Sequence, residues 1–171
     1  MRYKKLSLLL CLALIFYYNG IAQVVKNISL KDFDLLIGSW QGNLTYLDYS
    51  SGKPYTMPAN VDIRNSGKTN KFIFSNIYPK EPNANSVDTL TISKDGNKIN
   101  DDSVKSIRKL GNGNVEIITE LQGKDGNDNK PALIRHTYIF GNTVFVIRKD
   151  VQFTGQTEWI KRNEYSYTKS L

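Results

Sequence analysis

The chain has 171 residues, a single cysteine and a formal net charge of +7 at pH 7. The length suits one domain, and the basic residues are spread along the chain instead of forming one block. A dispersed excess of positive charge indicates a solvated basic surface, so the composition predicts no nucleic-acid partner.

The first 22 residues have the features of a secretory signal peptide. Three basic residues precede an apolar stretch over residues 6–18. Small residues, Gly20 and Ala22, then occupy the −3 and −1 positions of a cleavage site. The apolar stretch is shorter than the about 20 residues of a membrane-spanning helix, and a retained anchor is the alternative. We therefore expect an exported protein, periplasmic or extracellular. Its single mature domain covers residues 23–171, without an integral membrane segment.

Removal of the signal peptide changes the chemistry that the chain can carry. Cys11 lies in the apolar stretch, so the mature chain has no thiol. This excludes disulfides, cysteine nucleophiles and cysteine-ligated zinc. The formal charge falls from +7 to +4, because three basic residues and no acidic residue are lost. The mature domain must be held together by its core.

A short helix is predicted directly before the first strand. Ser29 and Asp32 have the spacing of a capping box. The apolar residues Leu30, Phe33 and Ile37 fall on one face of this helix. A single amphipathic turn in this position is suited to plug one end of a barrel.

About nine extended segments follow, and each ends in turn residues. They are rich in Val, Ile, Thr, Tyr and Phe, and nothing after residue 38 has the pattern of a helix. Asp95-Gly96 predicts a tight hairpin turn, because both residue types tolerate positive φ. The predicted strands cover residues 39–49, 60–64, 71–78 and 90–92, a less regular region around 99–107, and residues 115–121, 133–140, 144–153 and 159–168.

Strands joined by short turns form an antiparallel meander in which neighbours in sequence are adjacent in space. A meander of eight to ten strands exposes its edges unless it closes into an up-and-down barrel. A β-sandwich is the alternative, but it usually needs longer crossovers, and only residues 79–87 are long enough for one. The predicted fold is therefore all-β: an antiparallel up-and-down β-barrel of eight to ten strands with a short N-terminal helix.

The start of the first strand resembles the calycin superfamily, which comprises lipocalins and related small ligand-binding barrels. The matching residues are Gly38 and Trp40, a Gly-x-Trp sequence that follows a short helix. The same opening is similar to that of small exported bacterial barrel proteins of unknown function. The resemblance implies a lipocalin-like barrel and the binding of a small molecule.

The resemblance also implies an arginine near the last strand that packs over the tryptophan ring. Three arginines could occupy this position: Arg135, Arg148 and Arg162. We choose Arg162, and we expect Gly38, Trp40 and Arg162 to close one end of the barrel. Trp40 should then be buried against Phe33 or Ile37 and against an arginine or lysine from a late strand.

Aromatic and polar residues recur on the face of the strands that should point into the barrel. Alternate residues of a strand face the interior, and an aromatic-lined interior with a few polar groups is typical of a small-molecule site. A small barrel can also be filled entirely by its side chains. The predicted cavity residues are Tyr46, Phe74, His136, Tyr138 and Tyr165. The predicted ligand is apolar or amphipathic, with a carboxylate or carbonyl near His136.

Neither a catalytic residue nor a metal site is predicted. His136 is the only histidine, and no serine has the surroundings of a nucleophile. Residues 124–129 resemble a calcium loop, but Lys130 stands where such a loop needs glycine, so a hairpin tip is predicted. Asp101 and Asp102 would point to opposite faces of a strand, and in a turn both would be solvated. Haem ligation is an alternative to a pocket-lining role for His136, and no cofactor is predicted.

Three functions stay open at this point. The first is non-catalytic binding of a small molecule, and the second is a filled barrel that acts as a structural or protein-interaction module. The third is an enzyme that uses the barrel cavity. Cavity volume separates the first two, because a ligand site needs hundreds of Å³ of connected interior. The third requires titratable groups that converge in the cavity.

Overall fold

The protein is described from a computed structural model, which covers residues 27–48, 50–67 and 69–170. The predicted signal peptide, with its cleavage site after Ala22, lies outside these residues. Within the described ranges, no helix is both long enough and apolar enough to cross a membrane.

The chain begins with a short helix, as predicted. The helix α1 spans Leu30–Phe33, and Ser29 is its N-cap, with a side-chain oxygen that accepts from the backbone N–H of Lys31 at 3.3 Å. A 3-10 turn over Asp34–Leu36 follows directly. Together these two turns lead into the first strand.

The buried face of this helical segment differs from the predicted one. Phe33 is fully buried as expected, but Leu30 is 43% exposed and Ile37 is 38% exposed. Leu36 is the second buried residue. The α-helix lasts only one turn, and in the 3-10 turn side chains three residues apart lie above one another. This spacing aligns Leu36 with Phe33.

Ten antiparallel strands form one sheet, and the predicted all-β up-and-down barrel is confirmed. Strands that follow one another in sequence pair with each other, except β4 with β5, and β1 also pairs with β10. The irregular region that was predicted as one strand holds both β5 and β6. The strands are β1 (Gly38–Leu47), β2 (Pro54–Asn65), β3 (Lys71–Ile77), β4 (Ser86–Thr91), β5 (Lys98–Ile99), β6 (Asp102–Lys109), β7 (Val115–Asp125), β8 (Lys130–Phe140), β9 (Val144–Phe153) and β10 (Ile160–Lys169).

The barrel is nearly closed, with its seam between β4 and β5. A single bridge joins Ile92 to Ile99, and the N–H of Asn100 donates to the carbonyl of Thr91 at 2.7 Å. The predicted turn at Asp95-Gly96 connects these strands, and Gly96 has φ +69°. Among the described residues, β4 itself forms a ladder only with β3. The seam is therefore open along most of β4.

Strand β2 begins six residues earlier than predicted. Its two prolines, Pro54 and Pro58, are turn signals in the sequence, but both lie in the strand. Pro58 is opposite Asn43 of β1, and β3 pairs with β2 only from Asn60 onwards. Because the edge towards β3 has no ladder at Pro58, the missing N–H of this proline costs no sheet hydrogen bond.

Aromatic rings fill the end of the barrel that the helix covers. The ring of Phe33 lies 5.0 Å from that of Phe140 and 5.6 Å from that of Phe72, between ring centroids. Trp40 packs edge-on against Phe145 at 5.7 Å. All five side chains are almost completely buried, so the helix and these rings close this end.

Strands β1 and β10 come very close together at Gly42. A Cβ atom added to Gly42 would overlap the carbonyl oxygen of Ser166 and would lie 2.8 Å from the Cα of Tyr167. The obstacle is backbone, which cannot move aside as a side chain can. We expect Gly42→Ala to lower the free energy of unfolding by about 1–3 kcal/mol or more, as overpacking does elsewhere.

Urea denaturation measures this change, and Gly111→Ala is the matched control. Gly111 has nothing within 4 Å of an added Cβ and does not have a positive φ. Its substitution should change the free energy of unfolding by no more than about 0.5 kcal/mol. Equal stabilities of the two variants would contradict the close approach of β10 to Gly42.

Candidate functional site

A cavity of about 270 Å³ lies inside the barrel, beside the aromatic end. Strands β3, β4, β6, β8, β9 and β10 all contribute to its wall. It reaches solvent near the seam, where Asp88, Thr89 and Asn100 are exposed. The lining residues are Phe74, Asn76, Asp88, Thr89, Leu90, Asn100, Asp102, His136, Tyr138, Ile147, Tyr165 and Tyr167.

Stacked tyrosines form one wall of this cavity. The rings of Tyr165 and Tyr167 are 5.8 Å apart and 15° from parallel, and Tyr167 in turn stacks on Phe145 at 5.6 Å. The hydroxyl of Tyr165 shares a hydrogen bond of 2.9 Å with that of Tyr78. These contacts hold two aromatic faces and at least one phenol group in fixed positions.

A buried carboxylate and the only histidine form a pair in the same cavity. Nδ1 of His136 lies 2.6 Å from Oδ2 of Asp102, which also accepts from the hydroxyl of Thr119 at 3.2 Å. Asp102 is 7% exposed. Because a carboxylate only accepts, this contact places a proton on Nδ1 and fixes the imidazole ring.

The two adjacent aspartates fall in different elements: Asp101 is an exposed turn residue, as expected for a turn, whereas Asp102 is a buried strand residue. Strand β6 begins at Asp102. The side chain of Asp102 therefore points into the barrel, whereas Asp101 lies outside the strand and is exposed.

A second carboxylate stands at the seam. Asp88 of β4 accepts through Oδ2 from the side-chain amide of Asn76 at 2.6 Å and from the hydroxyl of Ser86 at 3.1 Å. The cavity thus has one acidic group deep inside, at Asp102, and one at its solvent-facing side.

Three tyrosines of the cavity are held as neutral phenols. Burial raises the pKa of Tyr138 well above its ordinary value, and the charge of Asp102 raises it further. Burial also raises the pKa of Tyr165, together with Tyr78 and Asp88. The pKa of Tyr167 is raised by burial, Tyr165 and Tyr78. These hydroxyls can therefore donate and accept hydrogen bonds at physiological pH.

Four of the five predicted cavity residues line this one cavity: Phe74, His136, Tyr138 and Tyr165. Tyr46 does not. Its ring packs against Tyr55 at 5.5 Å, and it lines a separate depression of about 540 Å³ at the other end of the barrel. That depression also includes Lys149 and Arg162.

Arg162, our choice for the cation over Trp40, lies elsewhere. Its Nε is 2.9 Å from Oδ1 of Asp125, and its guanidinium lies over the ring of Phe153 at 5.3 Å. A bulge between Lys161 and Asn163 interrupts the pairing of β10 with β9, and it brings Arg162 inward at the end opposite to Trp40.

Lys169, also from β10, takes the position over the tryptophan. Its Nζ is 5.0 Å from the centre of the Trp40 ring and donates to the carbonyl of Leu35 at 3.0 Å. Gly38 makes room for this side chain, because an added Cβ would lie 3.3 Å from Cε of Lys169. Gly38 and Trp40 thus lie together at the closed end, and the cation over the ring is Lys169 instead of our choice, Arg162.

Eight of the twelve lining residues escaped the sequence-based prediction, and they include Asp88, Asp102 and Tyr167. Tyr167 shares a strand face with Tyr165, and Asp88 shares one with the buried Leu90. The alternation of inward and outward side chains along a strand, called strand parity below, was therefore a usable signal for both of these residues. For Asp102 the signal was weaker, because it depends on where β6 begins.

Comparisons with known proteins assign no family. No protein-family model matches the chain, and no curated protein matches it. Among solved structures, the chain is similar to Rv2717c from M. tuberculosis, with 12% identity and a TM-score of 0.49 over 85% of this chain and 100% of that chain. This likeness gives no information about a ligand, and the resemblance to calycins stays a prediction. Across the described ranges, no group of three or more potential ligands is placed to hold a metal ion.

Proposed function

We propose that the protein is an exported barrel that binds a small amphipathic molecule without changing it chemically. The observation that carries this proposal is the interior cavity of about 270 Å³, which combines aromatic faces with fixed polar groups. Sites of this kind are mostly apolar, with a few convergent polar groups that orient the ligand.

The volume limits the size of the ligand. It lies just below the range of about 300–1,000 Å³ that drug-sized molecules occupy. A compact ligand with one ring fits this space, whereas the larger macrocycle of haem would not be enclosed by it.

The arrangement around His136 supports binding rather than catalysis. The hydroxyl of Thr119 donates to Asp102 and not to the imidazole. A nucleophile would need to be within hydrogen-bond reach of the base. The His136–Asp102 pair therefore serves to fix the ring and to present a polar group to a ligand.

A thermal-shift screen tests the proposal. The compounds are small aromatic acids, alcohols and amines, with fatty acids, sterols, retinoids and haem as larger probes. A ligand at 100 times its Kd adds about 2.7 kcal/mol to the free energy of unfolding, which raises Tm by about 5–10 °C in a domain of this size. Native mass spectrometry of protein purified from its own host should detect a retained small molecule.

Ile147→Trp is the variant that tests the location of the ligand. Ile147 lines the cavity, and a tryptophan there would fill part of it. We expect this variant to lose the thermal shift. Trp40 should report binding in the parent protein, because Phe145 connects it to the cavity residue Tyr167. Absence of any retained molecule and of any shift would favour the alternative function, a filled barrel that acts as a structural or interaction module.

Export has its own test. If the predicted signal is removed after Ala22, the mature protein begins at Gln23. The intact mass of protein isolated from its host should match this N-terminus, and a mass that includes residues 1–22 would contradict the proposal of a cleaved leader.

A further inference from the structure

The charged groups that line the interior cavity have a net negative charge. They are two carboxylates and one imidazole: Asp88, Asp102 and His136. No lysine or arginine is among the described residues that line this cavity. If His136 is protonated, it balances Asp102 and leaves the charge of Asp88. If His136 is neutral, both carboxylates are unbalanced, so the lining is negative in either state.

The uncharged part of the wall adds to this preference. The ring faces of Phe74, Tyr138, Tyr165 and Tyr167 contribute to the lining. An aromatic face is the negative part of the ring quadrupole and attracts a cation placed over it. The phenol oxygens can also accept hydrogen bonds, which an ammonium group donates.

We propose that the cavity selects a small organic cation, a protonated amine with an aromatic or short apolar body, over an anion of the same shape. This inference rests on the proposed binding function and specifies the class of ligand. The sequence predicted a ligand carboxylate near His136, and the proposed cation takes its place. A ligand carboxylate at the imidazole would lie close to the carboxylate of Asp102, whose Oδ2 is 2.6 Å from Nδ1 of His136.

The opposite end of the barrel also has charged groups around a depression. Lys149 and Arg162 line the depression at that end. Asp48 also lines that depression, and Asp125 contacts both cations. Because a charged compound can meet these groups as well, each test must show where it binds.

Three probes of similar shape and different charge test the proposal: phenethylamine, 2-phenylethanol and phenylacetate. Isothermal titration should give phenethylamine a Kd at least about tenfold lower than that of 2-phenylethanol, which corresponds to about 1.4 kcal/mol. Phenylacetate should not bind in the cavity. Ile147→Trp should abolish phenethylamine binding and so place the amine inside the barrel.

Two pairs of variants separate charge and aromatic contributions. Asp88→Asn should weaken phenethylamine binding about two- to fivefold, as expected for a partly solvated ion pair, and leave 2-phenylethanol unchanged. Asp101 is exposed and directly precedes the cavity residue Asp102, so Asp101→Asn should affect the binding of neither probe. Tyr165→Leu should weaken amine binding about two- to thirtyfold through loss of a ring face, and Tyr165→Phe should preserve it. If Tyr165→Leu does not fold, the Asp88 pair and the three probes still decide the question.

The outcomes distinguish this inference from the proposed function. If 2-phenylethanol binds as tightly as phenethylamine, or if phenylacetate binds tightest and loses its affinity in Ile147→Trp, the cavity binds ligands but the preference for a cation is wrong. If none of the three probes binds and no molecule is retained from the host, the binding function itself fails. A tenfold preference for the amine that falls in Asp88→Asn supports both.

Discussion

Trp40→Ala is expected to lower the free energy of unfolding by about 3–5 kcal/mol, as for other large-to-small core substitutions. The ring is 1% exposed and packs edge-on against Phe145. Its Nε1–H donates to the carbonyl of Leu36 at 2.7 Å. Truncation removes these contacts and opens a void under the helix. At this chain length, the loss corresponds to a fall in Tm of about 6–20 °C.

Trp159→Ala is the matched control, because it removes the same side chain from the outside of the barrel. Trp159 is only partly buried, with the guanidinium of Arg135 over its ring at 3.8 Å. A cation–π contact at such a site contributes about 0.5–1 kcal/mol, so the expected loss is several-fold smaller. A Trp40→Ala protein that melts within a degree or two of the parent would show that the closed end does not depend on Trp40.

The barrel could be predicted from sequence because its strands and turns are local features. Turn residues such as Asp95-Gly96 fix where a strand ends, and short connections force neighbours in sequence to pair. The boundaries were wrong where a local signal depends on distant partners. Pro58 indicates a turn by itself, and it can lie in a strand because β3 ends at Ile77, opposite Asn60, before it reaches Pro58. Likewise, the 3-10 turn that buries Leu36 depends on the barrel end beneath it.

The cavity was partly predictable, for a related reason. Parity assigns a residue to a face, and this was enough to bring Phe74, His136, Tyr138 and Tyr165 together. Parity does not identify a partner across the barrel, so the pairing of His136 with Asp102 had no local signal.

A β-bulge also breaks the alternation by which the sequence indicates the face of the strand on which a residue lies. In β10, Tyr165 and Arg162 both point inward although they are an odd number of residues apart, because the pairing with β9 shifts between Lys161 and Asn163. The choice of Arg162 as the partner of Trp40 came from the resemblance to calycins, whereas Lys169 lies on the same strand face as Tyr165 and Tyr167.

The second large effect is expected at Asp125, in the buried charge cluster opposite the aromatic end. Its side chain is 5% exposed, and it contacts Nζ of Lys149 at 2.5 Å and Nε of Arg162 at 2.9 Å. Asp125→Asn removes the negative charge that both cations share. Removal of one member of a buried ion pair usually costs about 3–5 kcal/mol, because charge is left in a poorly solvated site. We expect a loss of this size in urea denaturation at neutral pH.

Asp128→Asn provides the control on the same hairpin turn. The side chain of Asp128 is 72% exposed and pairs with Lys130 at 3.0 Å. Exposed pairs contribute about 0–1 kcal/mol, so this variant should remain close to the parent in stability. Equal losses for the two aspartates would contradict a specific role of the buried cluster.

The stability difference between the parent and Asp125→Asn should depend on pH. Burial by itself raises the pKa of Asp125, but the hydrogen bond from Lys149 and the charges of Lys149 and Arg162 outweigh burial, so the pKa lies below its ordinary value. A carboxylate with a lowered pKa in the folded state stabilises the protein fully above its unfolded-state pKa of about 3.9. This contribution is lost as the pH falls through the folded-state pKa. The free-energy gap between the two proteins should therefore be constant from neutral pH to about pH 5 and should narrow below about pH 4. A gap that stays unchanged in acid would show that Asp125 acts through its shape and hydrogen bonds and not through its charge.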